Sequence, residues 1–375
     1  MGNQEESTFL DILSEHKHGN PQGIFAVCSA HPVVLETTIK HASMVGSPLL
    51  IESTSNQVNQ FGGYTGMTPS QFSGSLLDLC KKYSFPGHRL LMGGDHLGPY
   101  PWRDLPATSA MQNACEMVED YVKAGYRKIH LDSSMHCGDD DSAKPLSPRL
   151  IAERSASLCF IAEQAAAQGP ESEHRPVYVI GSEVPAPGGL PTSEEKLAVT
   201  SVADVDETIQ LTHNAFLKRG LESAWDRVVA IVVQAGIDFG DQTIHSYDRS
   251  KTTALRQFIE RDNRFVFEAH STDYQMPNSL KEMVADHFAI LKVGPELTFA
   301  YREAIYALEQ IERQIASIMA IPDPSEISAV VDRVMCKNPK NWQEYYTGSA
   351  SAVAFSRRFS MSDRIRYYWS DPEVI

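Results

Sequence analysis

No stretch of this chain approaches the run of about 18 to 20 apolar residues that spans a bilayer. Its opening residues, Met1 to Glu6, are polar and acidic and carry no apolar secretion signal. The expected address is therefore the cytoplasm, with no membrane partner. Cysteine is sparse: Cys28, Cys80, Cys115, Cys137, Cys159 and Cys336 are scattered without C-x-x-C spacing, so neither a zinc ribbon nor a disulfide framework is indicated. Basic residues are in deficit, 33 Lys and Arg against 48 Asp and Glu, for a net charge of −15. Such a balance argues against nucleic acid as a partner, although local amides and one lysine can still hold a phosphorylated small molecule. No G-x-G-x-x-G follows the first apolar run, which weakens a dinucleotide fold. No H-x-x-x-H spacing marks a metal site either.

What the sequence does contain is one unit repeated. Apolar runs end in polar groups and are followed by stretches with helical spacing, beginning with Gly23 to Ser29 and then Val33 to Val45. The run Pro48 to Thr54 leads through a long polar loop, Ser55 to Thr68, to a helix through Lys82; a loop of that length in a compact fold is usually functional. Later runs start at Leu90, Lys128, Val177, Val228, Phe265 and Ala289, which makes eight strand–helix pairs. With 42% hydrophobic content in 375 residues, the chain can bury a full core. Nearly apolar strands alternating with amphipathic helices predict an α/β fold, a (β/α)8 TIM barrel over residues 1–321. Residues 322–375, rich in Tyr, Arg and Trp, read as a C-terminal helical extension packed on that barrel, a plug or a subunit contact.

In such a barrel the active site lies at the carboxy ends of the strands, where residues distant in sequence converge. The predicted ends are Ser29 with His31, Glu52 with Asn56, Asp95 with His96, Asp132, Glu183, Gln234, Glu268 with His270 and Asp273, and Lys292 with Gly294. Ionisable groups closing this many apolar strands are costly unless they meet a ligand or a metal. The stretch Gly93-Gly94-Asp95-His96-Leu97-Gly98-Pro99 is the centre of that pattern, although an isolated Asp-His pair can also simply cap a helix or satisfy itself in a turn. His96, Glu183 and His270 form a plausible ligand set for a divalent cation, zinc or alternatively manganese, with Gln234 as a fourth contact. Asp95 and Asp132 are the acid/base candidates, with a turn cap beside Ser133 and Ser134 as the other reading of Asp132. Glu52 could equally be held by Asn56. Lys292 is expected to pair a charge or bind phosphate rather than form a Schiff base. His16, His18 and His213 read as surface residues.

Seven blocks carry a more specific signal: Cys28 to Pro32, Ile51 to Met67, Gly93 to Pro99, Lys128 to Asp132, Gly181 to Pro185, Glu268 to Gln275 and Phe288 to Pro295. Together they resemble the GatZ/KbaZ family, the Z subunits of class II D-tagatose-1,6-bisphosphate aldolase. The resemblance implies a TIM barrel that handles a ketose phosphate or bisphosphate in galactitol or N-acetylgalactosamine catabolism, as an oligomer or beside a catalytic Y-type subunit. It also implies kinship with metal-dependent 4-epimerases. Tagatose and fructose bisphosphates differ only at C4, one end of the bond that a class II aldolase breaks. Retro-aldol cleavage followed by turning the aldehyde over would therefore epimerise C4. Some family labels read tagatose-6-phosphate kinase, yet the sequence has no phosphate-cradling glycine loop or kinase-like catalytic set. Glu52, Asn56, Ser271, Asp273, Lys292 and Gly294 are the expected substrate contacts. Gln234 stands where a catalytic class II aldolase is expected to carry a third histidine.

Overall fold

The computed structural model describes residues 8–169, 175–181, 197–320, 322 and 324–375. Among them, β1 (Ile24–Val27), β2 (Leu49–Thr54), β3 (Leu90–Leu97), β4 (Lys128–Leu131), β5 (Val177–Ile180) and β6 (Val228–Val232) are strands of one barrel. A short antiparallel hairpin, β7 (Asp238–Phe239) and β8 (Ile244–His245), sits in a loop, and β9 (Val266–Ala269) and β10 (Phe288–Val293) complete the ring. The eight barrel strands are parallel and closed in the order β1-β10-β9-β6-β5-β4-β3-β2, with β1 pairing both β10 and β2. The predicted TIM barrel is thus the observed fold. No helix among the described residues is long and apolar enough to cross a membrane.

Local chemistry explains most of the helix starts. Proline occupies the first turn of α2 (Pro32–Val45), α3 (Pro69–Lys82), α5 (Pro148–Ala167), α9 (Pro277–Ala285) and α10 (Pro295–Met319), where its missing N–H costs nothing. Thr68 and Gln71 form a reciprocal capping box on α3, and Ser201 caps α6 (Val202–Leu217). The remaining helices around the barrel are α4 (Ala107–Lys123), α7 (Glu222–Trp225) and α8 (Thr253–Ile259).

The inward face of the barrel changes character along its length. Ile24 and Ala26 on β1, Leu50 on β2, Val177 and Val179 on β5, Ala230 and Val232 on β6, Val266 on β9 and Ile290 on β10 form one buried apolar cluster. Phe9, Ile12 and Leu13 of α1 (Phe9–Lys17) belong to the same cluster, so that helix stoppers the amino end. Two residues further along three of these strands the polarity reverses: Leu50 gives way to Glu52, Val266 to Glu268 and Ile290 to Lys292, all buried. Period-two alternation keeps those side chains on one face. The expectation of nearly apolar strands needs correcting here, because β4 sends Lys128 and His130 inward and both are fully buried.

His16 also departs from its reading as a surface residue. It is buried, with Nε2 2.9 Å from His287 Nδ1 and Nδ1 2.6 Å from the Gln22 carbonyl. Beyond α10 the chain forms α11 (Ile327–Lys337) and α12 (Ala350–Phe359) and a final irregular segment. Val331, Val334, Met335, Tyr346, Ile365, Tyr368 and Trp369 make a separate apolar cluster there, against Tyr301, Ile305 and Tyr306 of α10.

Candidate functional site at the barrel mouth

The strand ends meet in one cavity. Asn56, Asp95, His96, His270, Ser271, Asp273, Lys292 and Gly294 all line it. Asp95 and His96 both reach it, though they are consecutive, because the β3–β4 register shifts between Gly94 and Leu97 and His96 adopts a left-handed φ of 47°. A bulge of this kind re-aims a side chain. Ser271 repeats the device after β9 with φ 57°. Gly98 makes the close approach possible: a Cβ there would overlap the Asp132 carbonyl.

Beneath the cavity floor lies a charge network. Lys128 contacts Glu52 and, at 2.6 Å, Glu268. Lys292 contacts Asp95, and lies 2.9 Å from Glu268 and 3.4 Å from Glu52. Burial alone would push the Lys292 ammonium down, but Asp95, Glu268 and Glu52 outweigh it and hold the group well above the usual lysine range. Lys292 is thus held as the ion-pair partner of three carboxylates. Burial likewise pushes the Asp95 and Glu268 carboxyls up; for Asp95 the charges of His96 and Lys292 prevail, and for Glu268 those of Lys128 and Lys292, so both stay ionised.

Three imidazoles surround the same point. The His96 and His270 rings lie 4.9 Å apart, His96 and His130 5.1 Å, and His130 and His270 5.3 Å. His96 Nδ1 donates to Asp132 Oδ2 at 2.7 Å and its Nε2 lies 3.7 Å from Asp95 Oδ1; burial disfavours the charged ring, but the two carboxylates outweigh it and raise His96 above the usual imidazole range. Asp132 also accepts from the Ser134 amide and hydroxyl. Burial raises its carboxyl, yet the His96 bond outweighs that and drives it well below the carboxylate range. Of the two acid/base candidates, Asp95 lines the cavity, and Asp132 lies beside it, bound to His96 and Ser134. His270 donates Nε2–H to Glu268 at 3.1 Å, and burial together with Lys292 brings it down to about 3, so the ring is neutral at physiological pH.

The site residues fit a divalent cation. Asp95, His130, Glu268 and His270 each offer a ligand atom within 4.8 Å of the others. Buried His130 Nε2 has no hydrogen-bond partner among the described residues, and the three carboxylates Glu52, Asp95 and Glu268 outnumber the two lysines between them. Within that group of four, Lys292 contacts Asp95 and Glu268, and His270 Nε2 bonds Glu268, so His130 Nε2 is the nitrogen left without a partner among the described residues; His96, from the expected ligand set, is not one of the four.

The other expected residues fall as follows. Glu183 lies outside the described residues. Gln234 does not line the cavity; its Oε1 accepts from the Gly236 and Ile237 amides, 2.8 and 3.1 Å away, and so stabilises its own turn. Glu52 is completely buried and bound to lysine rather than to Asn56. Asp273 Oδ1 accepts from the Gly294 and Glu296 amides, so the amino end of α10 is already capped by a carboxylate that burial raises to about 6. His31 occupies the N-cap position of α2 without a side-chain cap bond, and its ring lies 4.3 Å from that of Tyr301 at 46°, outside the cavity.

The sequence of this chain matches the family model "D-tagatose-1,6-bisphosphate aldolase subunit GatZ/KbaZ-like" over residues 9–375. The chain belongs to the GatZ/KbaZ-like family. A crystal structure from Sinorhizobium meliloti 1021, described as a probable tagatose 6 phosphate kinase, is 43% identical to this GatZ/KbaZ-like chain, covers 94% of it and 84% of its own length, and superposes with a TM-score of 0.84. Two aldolases are far more distant. The YdjI aldolase of Escherichia coli K12 shows 11% identity, coverage of 98% and 99%, and a TM-score of 0.48. The fructose-bisphosphate aldolase of Campylobacter jejuni shows 13% identity, coverage of 98% and 94%, and 0.46.

Residues without a sequence-level assignment complete the GatZ/KbaZ-like mouth. Lys128 and His130 carried a readable signal, since they alternate with Asp132 on one strand face. Gln57 and Tyr64 come from the long loop after β2, where Gly63, at φ 56°, fits against the Gln57 carbonyl as only glycine can. Arg366 and Tyr367 arrive from the final segment, with the Tyr367 ring 4.9 Å from that of Tyr64.

Proposed function

We propose that this chain is a Z-type aldolase chain whose barrel mouth is itself a metal-dependent site for ketose phosphates, working on the C3–C4 bond. The observation that supports this most is the gathering of Asp95, His96, His270 and Lys292 around one cavity with Asp132 and Glu268 holding the two rings in place. His96 and His270 would hold the ion, with Glu183 as a further oxygen donor. Zinc suits the imidazole-rich set and manganese the carboxylates. A divalent cation supplies stabilisation for negative charge developing on the substrate oxygens during cleavage. Asp95, kept ionised beside Lys292, is the group positioned to take the proton of the C4 hydroxyl and to return it. If the aldehyde turns before the bond re-forms, the same residues act as a 4-epimerase of tagatose and fructose phosphates.

A second reading is an accessory role beside a Y-type aldolase subunit in galactitol-type catabolism. It is supported by α10, where Leu308, Ile311, Ile315 and Ile318 form an exposed apolar stripe at helical spacing. One experiment separates the two. Purified chain loaded with Zn2+ or Mn2+ is assayed by NMR for cleavage of tagatose 1,6-bisphosphate and for inversion at C4. Turnover without any partner, lost by at least a hundredfold in His96→Ala, is the expected result. No turnover alone, together with a tight Y-type complex whose activity survives His96→Ala, would establish the accessory role instead.

A further inference from the structure

We propose that Arg366, on the segment after α12, is the phosphate-recognition residue of this barrel mouth, gripping a phosphate monoester of the substrate while the strand-end residues handle the reacting carbons. The inference rests on the ketose-phosphate reading above. It begins from how positive charge is distributed at the site.

Of the cations near the cavity, Lys128 and Lys292 are both consumed by carboxylates. The amide cradle at the start of α10, a natural phosphate site in other barrels, is filled by Asp273. Neither can meet a dianion without first releasing a buried anion. Arg366 differs. It lines the same cavity as Asp95, His96 and His270, and its hydrogen-bond partners among the described residues are all uncharged: the Ser362 carbonyl, the Asp363 carbonyl at 3.1 Å and the Tyr367 hydroxyl at 3.0 Å. A guanidinium has five N–H donors in a planar fork, so these bonds fix its orientation and leave donors over. No carboxylate lies within ion-pair distance of it among the described residues.

The segment is also held in place firmly enough to aim such a group. Asp363, in a left-handed turn at φ 44°, is bound by Arg302 at 2.8 Å and Thr298 at 2.5 Å, both on α10. Tyr274 donates to the Met361 carbonyl at 2.6 Å, and the Met361 amide donates to the Asp241 carbonyl at 2.9 Å. These anchors come from α10, from the loop after β9, which also carries Ser271 and Asp273 of the cavity, and from the residue pair just after β7, whose Phe239 lines it. A pre-placed planar fork loses little entropy on engaging phosphate oxygens and favours them over a hydroxyl.

The test uses full-length, metal-loaded chain with Arg366→Gln and Arg366→Lys. For a phosphorylated ketohexose, Arg366→Gln is expected to raise KM at least tenfold with a smaller change in kcat. The preference for phosphorylated over unphosphorylated tagatose should shrink by a similar factor. Arg366→Lys should restore part of the loss, which a purely structural role of the side chain would not predict. Calorimetric titration with inorganic phosphate gives a readout that does not need turnover: wild type binds, and Arg366→Gln binds at least tenfold more weakly. Should wild type turn over or bind phosphate while Arg366→Gln keeps the same KM and affinity, the assignment is wrong and the ketose-phosphate reading stands. If wild type binds phosphate through Arg366 but converts no ketose phosphate, the assignment stands and the reading of the reaction fails. If wild type neither turns over nor binds, both fall.

Discussion

Lys128 has no solvent exposure and touches two carboxylates, Glu52 and Glu268, that have few other sources of positive charge. Breaking a buried pair by removing one partner strands the other charge in a medium that solvates it poorly. Lys128→Met is expected to destabilise the chain by about 3–5 kcal/mol, read by urea denaturation at neutral pH; a change under 1 kcal/mol would mean that water reaches the network. At this scale the sequence was partly legible. Asp95, His96, His270 and Lys292 announce themselves because each ends an apolar run. Lys128 and His130 were hidden by lying inside a run, although their alternation with Asp132 puts all three on one face. Gln234 had the right chemistry at a strand end, but its Oε1 is taken by the Gly236 and Ile237 amides, and Asp273, which lines the cavity, spends one oxygen on the Gly294 and Glu296 amides; only the turn geometry decides this.

At the scale of elements, α1 closes the amino end of the barrel and is tied to the turn before β10 through His16 and His287. Burial, with the nearby His16 and Lys17, pushes His287 down to about 4, and burial also lowers His16. In the unfolded chain both titrate near 6.5. Between about pH 6.5 and 4 the unfolded state therefore binds protons that the folded state refuses, so this contact loses stability as pH falls through that window. Asp238 and Asp273, raised to about 6 by burial, act in the opposite direction over part of the same range. His287→Asn, which keeps a residue tolerant of the left-handed φ of 73°, should flatten the acid limb of a melting-temperature profile. An unchanged slope would assign acid sensitivity elsewhere. The strands and helices themselves were readable from period and proline position to within a few residues. The helix α1 and the β7–β8 hairpin were not foreseen, and in the long loop after β2, where Asn56 was expected at the site, the structure adds Gln57 and Tyr64 to the cavity.

For the whole molecule the open question is how the division into residues 1–321 and 322–375 behaves. The final segment buries Asp363 against Arg302 and covers Tyr301, Ile305 and Tyr306 of α10, so we expect the two parts to depend on each other. A chain ended after Met319 would leave Arg302 without its carboxylate and expose that aromatic face. It should melt at lower temperature, bind a hydrophobic dye and lose affinity for phosphorylated ketoses. A truncated chain with the melting temperature and affinity of the full one would show the extension to be an independent appendage.

By itself the sequence determined whatever depends on neighbours along the chain: the eight-fold alternation, the helix starts set by proline and hydroxyl caps, and the polar residues that end apolar strands. Family membership was also legible, since whole blocks of residues carry it. Tertiary structure decided which of those polar groups remain available. A carboxylate or imidazole serves chemistry only if nothing nearby has already taken its hydrogen bonds, and those partners come from strands or loops far away in sequence. For the same reason Arg366 could not be placed beforehand: its position at the mouth is set by contacts with α10 and the hairpin loop, not by anything adjacent to it in the chain.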